Sequence, residues 1–168
     1  MLKKLIMFMG AAALALSLSA CGGGPTQSVA VLESASSGIT QEAVEDTGYE
    51  DNLEGLCGYL SANKAIAGDP VEMSYKEIGA IAGCRYSFRF GGSTIQAEFY
   101  EFDLDNLDQK GKECVDSVQT KGFFTILGNE VHAQLNGKYL MIYVDKSRED
   151  ANIAHTAQVE ELFLGFKQ

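Results

Sequence analysis

Positive charge is what this chain has least of. Thirteen Lys and Arg stand against 23 Asp and Glu in 168 residues, a formal net charge of −10. A surface of that sign repels phosphate, so nucleic acid is excluded as a partner, because its backbone needs a basic face. The same charge disfavours adhesion to an anionic membrane or cell-wall polymer and would steer a cationic partner inward. Its plainest consequence is solubility.

Chemistry-bearing motifs are also scarce. Cys21, Cys57, Cys84 and Cys114 form no CxxC, zinc or haem spacing. There is no G-x-S-x-G elbow, phosphate loop or dinucleotide fingerprint. Gly91, Gly92 and Ser93 read as a hairpin turn rather than a phosphate cradle. Asp103, Asp105 and Asp108 miss the EF-hand pattern: Leu107 falls where the third ligand belongs, and Gly111 and Glu113 come at the wrong offsets. Helix capping accounts for these aspartates more simply. Glu98 and Glu101 have an odd spacing that puts them on opposite faces of a strand. Of the two histidines, His155 reads as a solvated helix residue and His132 as a mid-strand residue without a carboxylate or cysteine at a recognisable spacing. No catalytic residues, no metal ligands and no cofactor are therefore expected.

The apolar run from Leu5 to Leu16 is too short to span a bilayer, which takes about 20 such residues. Lys3 and Lys4 precede it, and Leu18-Ser19-Ala20-Cys21 follows. Together these make a signal peptide with charged, apolar and small-residue regions. The last four residues resemble the lipobox of bacterial lipoproteins. That resemblance covers only the leader. It implies cleavage before Cys21 and a diacylglycerol on the Cys21 sulfur, with the palmitate-type acyl chains and extracytoplasmic membrane location of that family. Two or more chains anchor stably, so the membrane is a partner through Cys21 alone. The alternative is an ordinary secreted protein cut after Ala20. Without the two leader lysines, 11 basic residues face 23 acidic ones, a net charge of −12.

Residues 1–20 are thus a signal peptide, 21–46 a flexible tether rich in Gly and Ser, and 47–168 one domain. Beyond Cys21 an odd number of cysteines remains, allowing at most one internal disulfide. Cys57 and Cys114 fall on apolar helix faces, which favours buried thiols. A Cys57–Cys84 bridge is the second reading.

Within the domain, Tyr49, Leu53, Leu56, Cys57 and Leu60 predict a helix over 49–63. Asp69, Pro70 and Glu72 open a second, with Gly83 as its stop. Strict alternation then takes over. Tyr86, Phe88 and Phe90, a Gly-Gly turn, and Ile95, Ala97 and Phe99 predict a hairpin pairing Phe88 with Ile95, Tyr86 with Ala97 and Arg85 with Glu98. A third helix, capped by Asp103 or Asp105, carries Leu107, Gly111, Cys114 and Val118 inward and ends at Gly122. Strands over 123–127, 130–135 and 138–145 follow, turning at Gly128-Asn129 and Asn136-Gly137 and pairing Val131 with Ile142 and Ala133 with Leu140. A last helix spans 149–166.

The order α-α-β-β-α-β-β-β-α describes an α+β domain: an antiparallel sheet of about five strands with helices packed on it. One sheet face carries Ile126, Val131, Ala133, Leu140, Ile142 and Val144. The other carries Phe123, His132, Tyr139, Met141 and Tyr143. An open aromatic face of this kind marks a contact site, so His132, Tyr139, Met141 and Tyr143 are the candidate binding residues. The leading reading is a non-catalytic binding or interaction module on the cell surface, with a protein or small-molecule ligand. The alternatives are a structural accessory lipoprotein with its aromatics buried, and a thiol enzyme using Cys84 or Cys114 with His132 as base.

Overall fold

Alternation of period two between Ala82 and Glu101 builds the centre of the molecule. In the computed structural model, which describes residues 29–32 and 43–168, β3 (Ala82–Phe90) and β4 (Ser93–Glu101) form an antiparallel hairpin. Phe88 pairs with Ile95, Tyr86 with Ala97 and Arg85 with Glu98, the register expected from the apolar pattern. Gly91 and Gly92 make the turn with φ of 54° and 80°, values a side chain resists. Arg85 Nη1 lies 3.7 Å from Glu98 Oε1 across the pair.

The other edge of β4 carries β8 (Tyr139–Val144), and β8 carries β7 (Gln134–Asn136). The outer edge of β3 is shared by β1 (Ala30–Val31), which is parallel, and β2 (Val71–Glu72), which is antiparallel. The result is a six-stranded mixed sheet. A separate two-stranded ribbon holds β5 (Phe123–Ile126) and β6 (Asn129–His132). Helices α1 (Leu53–Ala62), α2 (Gln109–Lys121) and α3 (Asp150–Gly165) pack on the sheet, making an α+β domain.

Two apolar layers follow from the two faces. On one, Tyr86, Phe88, Ile95, Ala97, Phe99, Tyr139 and Met141 meet Leu56 and Leu60 of α1 and Val159 and Phe163 of α3. On the other, Tyr100, Leu140 and Ile142 meet Cys114 and Val118 of α2, Phe124 of the ribbon, and Ile78 and Ala80. The caps are local: Asn52 accepts from Gly55 N at 2.8 Å to start α1, and Asp108 accepts from Gly111 N at 2.7 Å to start α2. Asp103 and Asp105, the expected caps, lie in the preceding turn, where Asp103 Oδ1 accepts from Asp105 N.

Three expectations are corrected. The second helix is absent. Its place is taken by β2 and a single 3₁₀ turn over Tyr75–Ile78. The β3 edge offers backbone partners to this segment, with Val71 opposite Arg85 and Met73 N bonded to Gly83 O. Gly79 ends the turn at φ 74°, and a Cβ there would lie 2.2 Å from Gly111 N of α2, so the close approach requires glycine.

The second correction concerns the strand over 130–135. It breaks at Ala133 into β6 and β7, so Val131 pairs with Phe124, and Leu135 rather than Ala133 pairs with Leu140. The turn is Gly137-Lys138, since Asn136 pairs with Tyr139. Asn136 is buried and its amide donates to Phe163 O at 2.7 Å and Phe166 O at 2.9 Å. Those bonds satisfy the end of α3 and hold Asn136 in the strand. The two-residue shift keeps Leu135 in the layer of Leu140 and Ile142.

The third concerns the tether. Ala30 and Val31 pair with Phe88 and Arg89, and Leu32 N donates to Arg89 O at 2.7 Å. Val44 N donates to Asn63 Oδ1 at 2.9 Å, and Asp46 accepts from Lys167 N. These parts of the expected tether belong to the folded body. The leader, Cys21 and the remaining tether positions lie outside the described residues.

Met141 and Leu140 are neighbours on β8 pointing into different layers, exposed 2% and 0%. Met141→Ala and Leu140→Ala should each cost about 2–5 kcal/mol in denaturant unfolding. A silent Met141→Ala would show that the layer under α1 and α3 contributes nothing.

Candidate functional site

The expected aromatic binding face is covered. Tyr139 and Met141 are each 2% exposed beneath α1 and α3. Tyr139 packs edge-on against Phe166, and its hydroxyl donates to Asp51 Oδ1 at 2.7 Å. Tyr143 is half-buried against the same layer. His132 sits elsewhere, exposed on the β5–β6 ribbon with its ring 5.7 Å from Phe123. The break at Ala133 carries it away from β8, so the four residues form no common surface. The apolar stripes of α1 and α3 require a cover, and these aromatics supply it.

The thiols are distributed differently. Cys114 is buried beneath α2, and burial pushes its pKa up to about 12. Such a thiol is a poor nucleophile. Cys57 on α1 and Cys84 on β3 face each other with their Sγ atoms 3.4 Å apart.

Two polar clusters join the layers. Glu101, nearly buried at the end of β4, accepts from Leu53 N at 2.9 Å and from Lys138 Nζ at 3.0 Å. Lys138 also donates to Asp51 O at 2.7 Å. The Tyr139 hydroxyl, with Lys138 beside it, lowers the Asp51 pKa. This cluster fixes the start of α1 against β4 and β8.

The second cluster holds His155, expected to be solvated and instead buried at 6% exposure. Its ring stacks on Phe90 at 4.1 Å. Nε2 lies 3.3 Å from Lys64 O and Nδ1 lies 3.0 Å from the Tyr143 hydroxyl. A carbonyl only accepts, so Nε2 carries the proton and Nδ1 accepts from Tyr143. Nearby, Asn152 donates to Phe90 O and to Asp145 Oδ2. The sequence held a signal for this site: His155 lies four residues before Val159 and eight before Phe163, on the buried stripe of α3.

A concave surface remains on the α2 side. Leu104, Val115, Gln119, Gln134, Leu135 and Leu164 line a groove of about 620 Å³ between α2, β7 and the end of α3. Leu104 and Leu164 are 47% and 46% exposed at its edge. Gln134 Oε1 is buried without a hydrogen-bond partner among the described residues. Native structures leave few such atoms unpaired. Nothing in the sequence pattern marked this groove, because it is assembled from segments far apart in the chain.

No protein-family model, curated protein or solved structure matches this chain.

Burial lowers the His155 pKa below its ordinary value, outweighing the opposite pull of Lys64 O and Asp145. The unfolded chain then takes up a proton first as pH falls. Stability should be full above about pH 6.5 and decline as pH drops through that value toward the folded pKa. Unfolding free energies measured across this range should lose that slope in His155→Gln. An unchanged slope would assign the pH dependence to other groups.

Proposed function

We propose that this chain is a bacterial lipoprotein, held on the extracytoplasmic side of the membrane through lipid on Cys21, and that its domain is a non-catalytic interaction module. The address rests on Lys3-Lys4, the apolar run to Leu16 and the Leu18-Ser19-Ala20-Cys21 lipobox. Among the described residues no helix is long and apolar enough to cross a membrane.

The observation that carries the interaction reading is the apolar groove edged by the exposed Leu104 and Leu164. Its lining of Leu104, Val115, Val118, Leu135 and Leu164 suits a small ligand with an apolar body. The mature net charge of −12 favours a neutral or cationic one. The buried polar side chains Glu101, Asn136, Asn152 and His155 are engaged in joining helices to the rest of the fold. That engagement supports a module that works by contact. The covered aromatic face favours a second reading, an accessory lipoprotein that binds no ligand.

The address predicts that Cys21→Ser protein leaves the membrane fraction or accumulates uncut. Normal processing and membrane partition of that variant would exclude the lipid anchor. The groove predicts a bound mass in native mass spectrometry of protein released gently from its own membranes, lost in Leu164→Glu. Parent protein that carries no bound mass would favour the accessory reading.

A further inference from the structure

Parity along β3 puts Cys84 on the side of Tyr86, Phe88 and Phe90, the face that α1 covers. Cys57 comes down to meet it from the buried stripe of α1, between Leu56 and Leu60. The two sulfurs are 3.4 Å apart, and a disulfide needs about 2.0 Å. The sulfurs must approach by about 1.4 Å to bond. The third thiol has no such option: Cys114 belongs to the layer on the opposite side of the sheet.

We propose that Cys57 and Cys84 are oxidised to a single disulfide that staples α1 to β3, leaving Cys114 as an inert buried thiol. The proposal rests on the extracytoplasmic reading above, since disulfides persist where the surroundings are oxidising. The oxidant is a disulfide-bearing thiol oxidoreductase or a small-molecule disulfide. Cys84, half-buried where Cys57 is buried, is the sulfur an oxidant reaches. Its thiolate, formed by loss of one proton, attacks the oxidant's disulfide. That bond breaks, and a mixed disulfide forms on Cys84 with release of one oxidant thiol. Cys57, already adjacent, loses its proton and attacks the Cys84 sulfur. The intramolecular bond forms as the second oxidant thiol leaves. Two protons and two electrons pass from the protein to the oxidant, which ends as a dithiol if it is an oxidoreductase or as two thiols if it is a small-molecule disulfide.

The bridge joins residues 27 apart in sequence and encloses the segment holding β2 and the 3₁₀ turn. Linking them removes loop freedom from the unfolded chain. It acts on a segment whose backbone otherwise depends on the β3 edge. All four cysteines are then accounted for: one carries lipid, two form the bridge, and one is shielded.

Thiol counting on the full chain tests this. Cells are quenched in acid and fractionated, and the protein is unfolded and alkylated with a mass-tagged maleimide, with and without prior reduction. The membrane form should take one tag before reduction, on Cys114, and three after it. Cys114→Ala should take none before reduction, and Cys84→Ala should take two. Three tags on the unreduced membrane form would overturn the bridge and leave the address intact. Recovery of the chain in the cytosol, with Cys21 also taking a tag, would overturn the address instead. In that case the folded cytosolic chain is treated with oxidised glutathione. Loss of tagging at Cys57 and Cys84 in a monomer sustains the pairing, and continued tagging of both refutes it.

Discussion

A strand cannot hide two apolar faces by itself. β4 and β8 carry Phe99, Ala97, Met141 and Tyr139 on one side and Tyr100, Leu140 and Ile142 on the other. The pleat sends neighbouring side chains in opposite directions. Both faces therefore need a cover, and the arrangement of the molecule answers that need. α1 and α3 close one side. α2, the ribbon and the 3₁₀ turn close the other. Central strands with large side chains on both faces are typical of sheets buried on both sides.

Apolar cover is not directional, and polar contacts set where each cover sits. The Glu101 carboxylate holds the first amide of α1, Leu53 N, while Lys138 compensates its charge. Removing a charge from water is costly unless geometry and hydrogen bonds repay it, and here both carboxylate oxygens are used. Asn136 performs the matching task at the end of α3. His155 links α3 to β8 and to the loop after α1. The surfaces left over are the groove beside Gln134 and the acidic exterior.

The hairpin of β3 and β4 was legible in full because alternation, a Gly-Gly turn and the Arg85–Glu98 pair all agree on one register. The α2 stripe of Gly111, Cys114 and Val118 was legible for a similar reason. Local pattern misled where long-range contacts decide. Asp69-Pro70 and Glu72 look like a helix start, but the β3 edge and the close approach of Gly79 to Gly111 claim that segment. Asn136-Gly137 looks like a turn, but the end of α3 draws Asn136 into the strand. The split of β8 into two faces followed from its period, whereas the burial of both depends on where the helices pack. The candidate site was legible only in part. The Cys57–Cys84 juxtaposition stood as the second reading of the cysteines. His155 shares the spacing of the buried α3 stripe, whereas the groove needed the tertiary arrangement.

The central claim is that both faces of the sheet belong to one cooperative core. Native-state hydrogen exchange resolved by residue tests it directly. The account predicts that amides of β4 and β8 exchange only by global unfolding, and that the middle turns of α1, α2 and α3 are protected by nearly the same free energy. If α1 and α3 opened at much lower free energy while α2 and the sheet stayed protected, the layer over Tyr139 and Met141 would be a removable cover. The two-sided core would then be wrong, and the aromatic face would again be available for binding.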